Sequence, residues 1–330
     1  MSPTHSRLEM TGMPLATENP AGDRPRLSIV STLYNSAPYI EEFHDRATRA
    51  ARAFAGDAYE IVLVNDGSPD DSLARAVEIA LGDPHVTVVD LSRNFGHHKA
   101  MMTGLAHASG ELVFLIDSDL EEDPDWLRSF AETLEGENCD VVFGVQKSRK
   151  GNRFERWTGR WFYWLFNLIT GLALPANVIV ARLMSRRYVQ ALLLHDEREV
   201  FLAGLWHITG FAQKAKTVEK LNKGTSSYTL RRKLSLLVNS ITSFSNKPLV
   251  SIFYTGLTIS VFSLLYILYL VSQKYIFLSP LEGWTSVMAS IWLIGGMIIL
   301  FLGVIGIYIA KIYSETKRRP YTIIKQIYKS

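Results

Sequence analysis

Two stretches without a single charged side chain, Pro248–Gln273 and Gly283–Ala310, constrain this chain more than any other feature. Each exceeds the roughly 20 residues an α-helix needs to cross a bilayer, so transmembrane spans are expected over about 250–272 and 286–310. Tyr266, Tyr269 and Tyr275 near one boundary, with Trp284 and Trp292 entering the next, are the amphipathic rings that favour a membrane–water interface. Arg231, Arg232, Lys233 and Lys247 precede the first span; Lys311, Lys317, Arg318, Arg319, Lys325 and Lys329 follow the second. Cationic loops stay on the cytoplasmic side. The expectation is a hairpin that keeps both termini and the whole front of the chain in the cytoplasm. Gly295, Gly296, Gly303 and Gly306 leave room for close helix packing and a homo-oligomer.

At 330 residues there is length for a second unit besides the spans. Residues 1–230 carry 30 Asp and Glu against 24 Lys and Arg. A net-acidic front argues against general nucleic-acid binding, whereas basic residues flanking the apolar runs suit an anionic membrane surface. The single cysteine, Cys139, excludes a disulfide framework and a Cys-rich zinc site. Residues 1–25 are polar, lack the apolar core of a signal peptide, and are read as a loose tail.

Two further segments suit the membrane surface. Over 229–247, Leu230, Leu234, Leu237, Val238, Ile241 and Phe244 recur at helical spacing between polar and basic residues, as in a juxtamembrane amphipathic helix. Over about 154–174, Trp157, Trp161, Phe162 and Trp164 mix with Arg153, Arg156 and Arg160, which fits either an interfacial helix or an ordinary core helix.

From residue 26 to 228 the pattern is α/β. Short β-branched runs at Leu27–Thr32, Glu60–Asn65, Val86–Leu91, Glu111–Ile116 and Asp140–Val145 alternate with helical stretches at Ala37–Phe54, Ser72–Leu81, Lys99–Ala108 and Pro124–Leu134. Alternation of this kind predicts a Rossmann-type, mostly parallel sheet with right-handed crossovers. Ligands then bind beyond the carboxyl ends of the strands.

The residues just after those strands are the chemically suggestive ones. The second strand runs into Asp66-Gly67-Ser68-Pro69-Asp70-Asp71-Ser72. Asp66 there can bond a base or ribose, though Asp-Gly and Ser-Pro are also turn chemistry, with Asp71 or Ser72 as helix cap. The fourth strand ends in Asp117-Ser118-Asp119. Two carboxylates one residue apart can converge on a hard divalent ion, Mg2+ or Mn2+, whose other positions suit diphosphate oxygens. Between them, Asp90 to Lys99 brings Arg93, Lys99 and the amides near Gly96 to a helix start, where phosphate is favoured. His97 and His98 are neighbours whose side chains diverge, so they are expected to be structural or substrate-lining.

Together these motifs resemble the family 2 glycosyltransferases of the type A fold. The resemblance is carried by Ser31-Thr-Leu-Tyr34-Asn35, Val64-Asn65-Asp66-Gly67-Ser68, Leu91-Ser92-Arg93-Asn94-Phe95-Gly96-His97 and Asp117-Ser118-Asp119-Leu120. It is strongest toward the polyprenyl-phosphate sugar transferases, the dolichol-phosphate mannose synthases and bactoprenol glucosyltransferases, whose Ile241-Thr-Ser-Phe-Ser-Asn-Lys-Pro248 segment and following hairpin are also similar. The resemblance implies a donor site of Tyr34, Asn35, Asp66, Asp90, Arg93, Lys99, Asp117, Ser118 and Lys223. It implies a metal and diphosphate group of Asp117 and Asp119, with Glu121 where relatives often carry a metal-contacting Gln. It also implies Arg182, helped by Arg149 or Arg186, at the acceptor phosphate, and Asp119 and Arg182 as the catalytic pair.

Where many such relatives read Gly-Asp-Phe-Arg this chain reads Ile179-Val180-Ala181-Arg182, so Val180 removes any carboxylate base at that point. A lipid phosphate, with a second pKa of about 6, needs no strong base. Lys220 and Lys223 precede Gly224 out of the register of the family's donor-phosphate loop. The resemblance therefore implies an inverting transferase that moves a sugar from a nucleotide diphosphate, UDP by analogy, to undecaprenyl phosphate at the inner membrane, for cell-envelope glycans. The alternatives are a processive transferase of the same fold, whose usual Gln-x-x-Arg-Trp is missing here, and a non-catalytic membrane scaffold or flippase partner.

Overall fold

The computed structural model describes residues 24–147, 177–197, 200–220, 241–242, 245–276 and 283–330. They fall into two compact units. One is built on the described parts of Met1–Tyr163, Leu174–Ser227 and Arg319–Ser330, the other on those within Tyr228–Arg318.

The first unit opens with β1 (Leu27–Leu33), α1 (Ile40–Ala55), β2 (Tyr59–Asn65), α2 (Ser72–Gly82), β3 (Val86–Leu91), α3 (His97–His107), β4 (Leu112–Leu115), α4 (Trp126–Gly136) and β5 (Val141–Gln146). All seven residues of β1 are buried, because a parallel strand covered by helices on both faces has no solvent side. Of its two serines one is absorbed by bonding: Ser28 Oγ donates to Glu60 Oε1 at 2.6 Å and accepts from the Gly110 amide at 2.8 Å, while the Ser31 hydroxyl lies inside without a partner among the described residues. Helix α1 buries Ile40, Phe43, Ala47, Ala50 and Ala51, the i, i+3, i+4 spacing of one helical face. Helix α3 lies close to the sheet at Gly104, where an added Cβ would press into Val30 and Val64.

The five strands and four helices expected from the sequence are all present, with ends that agree to within three residues. After β5 come β6 (Val178–Ser185), α5 (Arg186–Leu193), α6 (Leu202–Ile208), β7 (Gln213–Val218) and, at the C-terminus, β8 (Ile324–Lys329), for which the sequence pattern set no expectation. The sheet order is β7-β5-β6-β4-β1-β2-β3-β8. β1 pairs in parallel with β2 and β4, β2 with β3, and β5 with β7; β6 is antiparallel to β4 and β5, and β8 to β3. The four central parallel strands therefore end together, and the loops after residues 33, 65, 91 and 115 open on one rim of the sheet.

Strand β8 is the least expected element. The basic tail that follows the last apolar helix returns to the first unit and covers the outer edge of β3, with Val88 opposite Tyr328 and Leu91 opposite Ile324. The Ser92 amide donates to Ile323 O at 2.9 Å, and the Thr322 and Thr103 hydroxyls lie 2.9 Å apart.

The second unit contains two long helices, α7 (Lys247–Ile276) and α8 (Trp284–Thr316). Both display large apolar side chains outward: Phe253, Phe262 and Ile299 are 65%, 67% and 73% exposed. Within Leu293–Thr316 of α8 an 18-residue window reaches a mean hydropathy of 2.6 with none of that window buried in the chain, which meets the length and composition of a bilayer crossing. Hydroxyls along α7 turn inward on the helix, with Thr255 donating to Ser251 O and Thr258 to Tyr254 O at 2.8 Å each. At Gly295, Gly296, Gly303 and Gly306 an added Cβ would meet nothing within 4 Å, so among the described residues these glycines serve no close contact. The tail 1–23, the whole of the 154–174 segment, most of the 229–247 segment, Arg149 and Lys223 lie outside the described residues.

Candidate active site

The rim loops are tied to one another by side chains that the turn sequences supply. Asp66, 2% exposed, accepts the amides of Phe95 (2.7 Å) and Gly96 (3.0 Å), one on each carboxylate oxygen. It thus positions the Arg93–Gly96 loop against the end of β2. Burial pushes its carboxyl up, against the pull of those amides and of His97 and Arg93. Gly67 makes this approach possible. Its φ is +59°, and a Cβ would collide with the backbone of Arg93 and Asn94. Asn35, also left-handed at φ 54°, gives its amide to Ser68 Oγ at 2.8 Å. Asp71 occupies the N-cap position of α2, as expected, but without a side-chain capping bond; the Asp70 carboxylate instead accepts from the Ser72 amide at 3.1 Å and from the Ala37 amide at 3.1 Å, linking two loops.

The Asp117–Asp119 loop follows. Ser118 is 4% exposed and points inward, donating to Thr32 O at 2.9 Å and lying 3.0 Å from Ser36 Oγ. Its hydroxyl anchors the loop to the end of β1 rather than facing a donor. The flanking carboxylates remain at the rim. Asp117 lies 3.3 Å from His97 Nε2, whose other nitrogen sits 3.0 Å from Thr32 Oγ1. Burial lowers the affinity of His97 for its proton, but the Asp117 carboxylate, with Asp66 and Glu122, outweighs it and the imidazole is raised overall. His98 faces another way, 3.1 Å from Val200 O, so the two histidines diverge as expected. Asp119 accepts the Glu121 amide at 2.9 Å. Burial raises its carboxyl, and like charge on Asp117 and Glu121 adds to that. Leu120 between them is buried at φ 60°, a left-handed strain of the kind that collects at functional sites.

Behind the loop lies a residue that sequence reasoning did not single out. Glu122 is fully buried, accepts the Val180 amide at 3.1 Å, and sits 3.3 Å from Lys220 Nζ. Lys220 also reaches Glu121 at 3.4 Å. Burial, with Asp117 nearby, drives the Glu122 carboxyl upward. Within the acidic run Glu121-Glu122-Asp123-Pro124-Asp125, nothing in the residue types marks which carboxylate turns inward. Only the antiparallel seat of β6 decides that.

The arginines separate. Arg182, opposite Leu115 in the register, is 1% exposed, its guanidinium packed on the Trp206 ring and donating to Val180 O (3.2 Å) and Ile179 O (3.4 Å). Burial lowers it to about 9. It is enclosed within the domain, not displayed at the rim. Arg186 lies at the other end of the sheet, because Ser185 pairs with Leu112 at the start of β4; its guanidinium bonds Ala108 O. It is therefore apart from the Asp117 loop. Asp90 is buried, accepting from Asn65 Nδ2 at 2.8 Å with Lys325 of β8 at 3.7 Å. Arg93 is exposed over the Phe95 ring at 4.2 Å, Tyr34 is 51% exposed, and Lys99 lies over the Tyr321 ring. Tyr34, Asn35, Asp66, Arg93, Asp117 and Asp119 thus share the rim.

Asp117, Asp119 and Glu121 offer hard oxygen donors, the chemistry that Mg2+ or Mn2+ takes, and the like-charge strain on Asp119 is what a cation relieves. In kind these residues fit such an ion. Among the described residues, however, no three His, Cys, Asp or Glu side chains are already drawn together around a metal position.

A parallel α/β sheet with an acidic loop at its carboxyl rim is the architecture of a GT-A-like transferase domain. The chain matches the model of glycosyl transferase family 2 over residues 28–193, and it belongs to that family; it is a glycosyltransferase. Similar proteins include one from Mycobacterium tuberculosis (strain CDC 1551 / Oshkosh) grouped with the glycosyltransferases, 51% identical over 92% of this chain and 89% of that one. The uncharacterized glycosyltransferase YkcC of Bacillus subtilis (strain 168) is 34% identical over 91% and 94%. The bactoprenol glucosyl transferase of Shigella phage SfV is 33% identical over 91% and 98%.

Proposed function

We propose that this chain is an inverting, membrane-anchored transferase that moves a sugar from a nucleoside diphosphate, UDP in the favoured reading, to a polyprenyl phosphate such as undecaprenyl phosphate. The observation that carries it is the union in one chain of an acidic loop at the carboxyl rim, Asp117 to Asp119, with an apolar helix long enough to cross a bilayer within Leu293–Thr316. The near-full-length similarity to a bactoprenol glucosyl transferase supports the lipid acceptor.

In this reading an oxygen of the acceptor phosphate attacks the anomeric carbon in line, the bond to the nucleoside diphosphate breaks, and the diphosphate leaves with the bonding pair. Asp66, by accepting the Phe95 and Gly96 amides, holds the Arg93–Gly96 loop so that the Arg93 side chain faces the donor. Asp117 and Asp119, with Glu121 beside them, would hold Mg2+ or Mn2+, whose chemistry there is to neutralise the leaving diphosphate. Arg182 contributes a positive field from behind the rim, and Arg149 and Lys223 are assigned to the acceptor and donor phosphates. No carboxylate stands at Val180, and an ionised phosphate nucleophile requires none.

Strand parity supports the hairpin reading. Because β8 and β1–β7 share one sheet, a chain whose α8 spans a membrane is read as crossing an even number of times, with α7 as the second span. The basic flanks support a cytoplasmic side for the shared sheet. The catalytic domain is then residues 26–228 completed by the 319–330 tail. Membranes containing the chain, given labelled nucleotide sugars and undecaprenyl phosphate, should yield labelled lipid, and Asp119→Asn should lower the yield by about 100-fold or more. Unchanged yield in Asp119→Asn refutes the assignment.

A further inference from the structure

The acidic loop already contains a cation of its own. Asp117, Glu121 and Glu122 lie within one short segment, and two internal bases answer them: His97 on Asp117 at 3.3 Å, and Lys220 on Glu121 and Glu122 at 3.4 and 3.3 Å. The Lys220 side chain is 19% exposed, its Glu122 partner is fully buried, and Glu121 is 30% exposed. The ammonium is thus fixed from behind by a carboxylate that solvent does not reach, while its second contact holds a carboxylate at the rim. Burial alone would lower the Lys220 ammonium, but Glu122, Asp117, Asp119 and Glu121 together raise it above its ordinary value, which places it in the field of all four.

We propose that Lys220 is a built-in counter-ion that competes with the divalent cation for the acidic loop. The proposal rests on the reading that Asp117 and Asp119 take the metal. An ammonium bridging Glu121 and Glu122 keeps Glu121 from turning toward a metal, and its charge repels an arriving dication at short range. The departure of Lys220 from Glu121 must therefore accompany metal entry. A diphosphate arriving with the metal offers the released ammonium a new anionic partner, so metal and donor are expected to bind cooperatively, each raising the affinity of the other by the same factor. An idle enzyme thereby holds little metal until a donor is present.

The test measures Mn2+ binding to the full-length chain in detergent by the loss of free-Mn2+ paramagnetic resonance signal, at neutral pH, without nucleotide and with UDP. Lys220→Met and Lys220→Gln should bind Mn2+ alone about tenfold more tightly than the native chain, and Lys220→Arg, which keeps the charge, should stay within about threefold of it. In the native chain UDP should tighten Mn2+ binding, and in the two neutral variants that gain should shrink. Thermal melts confirm which variants are folded, and Lys220→Arg retains the ion pair should the neutral ones fail. Mn2+ binding that is lost in Asp119→Asn yet no tighter in either neutral variant, or equally tight in Lys220→Arg as in those, overturns the Lys220 proposal alone. Absence of Mn2+ binding in every protein, or binding unaffected by Asp119→Asn, overturns the metal reading and the proposal with it.

Discussion

The buried Glu122 carboxylate accepts a hydrogen bond from the backbone amide of Val180, 3.1 Å away. Strand β6 is thereby fastened at Val180 to the acidic loop after β4. Glu122 joins three things that are distant in sequence: the Asp117 loop, β6, and Lys220. Its removal leaves the Val180 amide without that partner and Lys220 with Glu121 alone of its two carboxylates. Glu122→Ala should cost about 3 kcal/mol, and Glu122→Gln, which still accepts from Val180, should cost less. Melting temperatures in the order native, Gln, Ala are the expected result; an Ala variant that melts with the native chain contradicts this account.

Gly67 is required on two separate grounds, its left-handed φ and the absence of space between it and Arg93–Asn94. Gly67→Ala should destabilise by about 2 kcal/mol or more and weaken nucleotide binding, because the Asp66-held loop moves away. Gly82, an exposed helical position where an added Cβ meets nothing within 4 Å, is the control. Gly82→Ala should leave both properties nearly unchanged.

Asp70 makes stability depend on acid. Burial pushes its carboxyl up, but the hydroxyls of Ser68 and Ser72 and the amides of Ala37 and Ser72 outweigh that and hold it at about 2. A carboxyl depressed below its unfolded value stabilises fully above that value and loses the contribution as pH falls through the folded one. Native chain and Asp70→Asn should therefore differ by about 1 kcal/mol at neutral pH, allowing for solvent screening. The difference should fade between about pH 4 and pH 2. Melting curves across that range check the sign; a gap that widens toward acid is the contrary result.

Deleting residues 320–330 should strip β8 from β3. That exposes a row of unpaired backbone groups on β3, an edge prone to pairing with other chains, and removes Lys325 from the buried Asp90 and Thr322 from Thr103. A fall in melting temperature of at least ~5 °C, with faster proteolysis near β3 and aggregation, is expected. A tail that is dispensable for all three contradicts the paired strand.

Much of this molecule is written in local pattern. Apolar runs such as Leu27–Leu33 and Leu112–Leu115 are strands because each buries nearly all its side chains against neighbouring helices, and the intervening helices carry a single apolar face; both periodicities survive in the residue order alone. The charge-free windows announce α7 and α8 for the same reason. That Asp117 and Asp119 lie at the carboxyl rim is legible because they follow the buried apolar strand Leu112–Leu115. What composition and spacing leave open is direction and partnership. Ser118 turns inward because Thr32 O waits beside it, Arg186 goes to the far end of the sheet because β6 runs antiparallel to β4, and Arg182 disappears under Trp206. The weakly alternating Ile324–Lys329 becomes a strand only because β3 presents an open edge, and Glu122 differs from Glu121 only because the Val180 amide lies within its reach. Those outcomes depend on contacts between segments far apart along the chain, where burial and the unmet hydrogen bonds of one element select the residues of another.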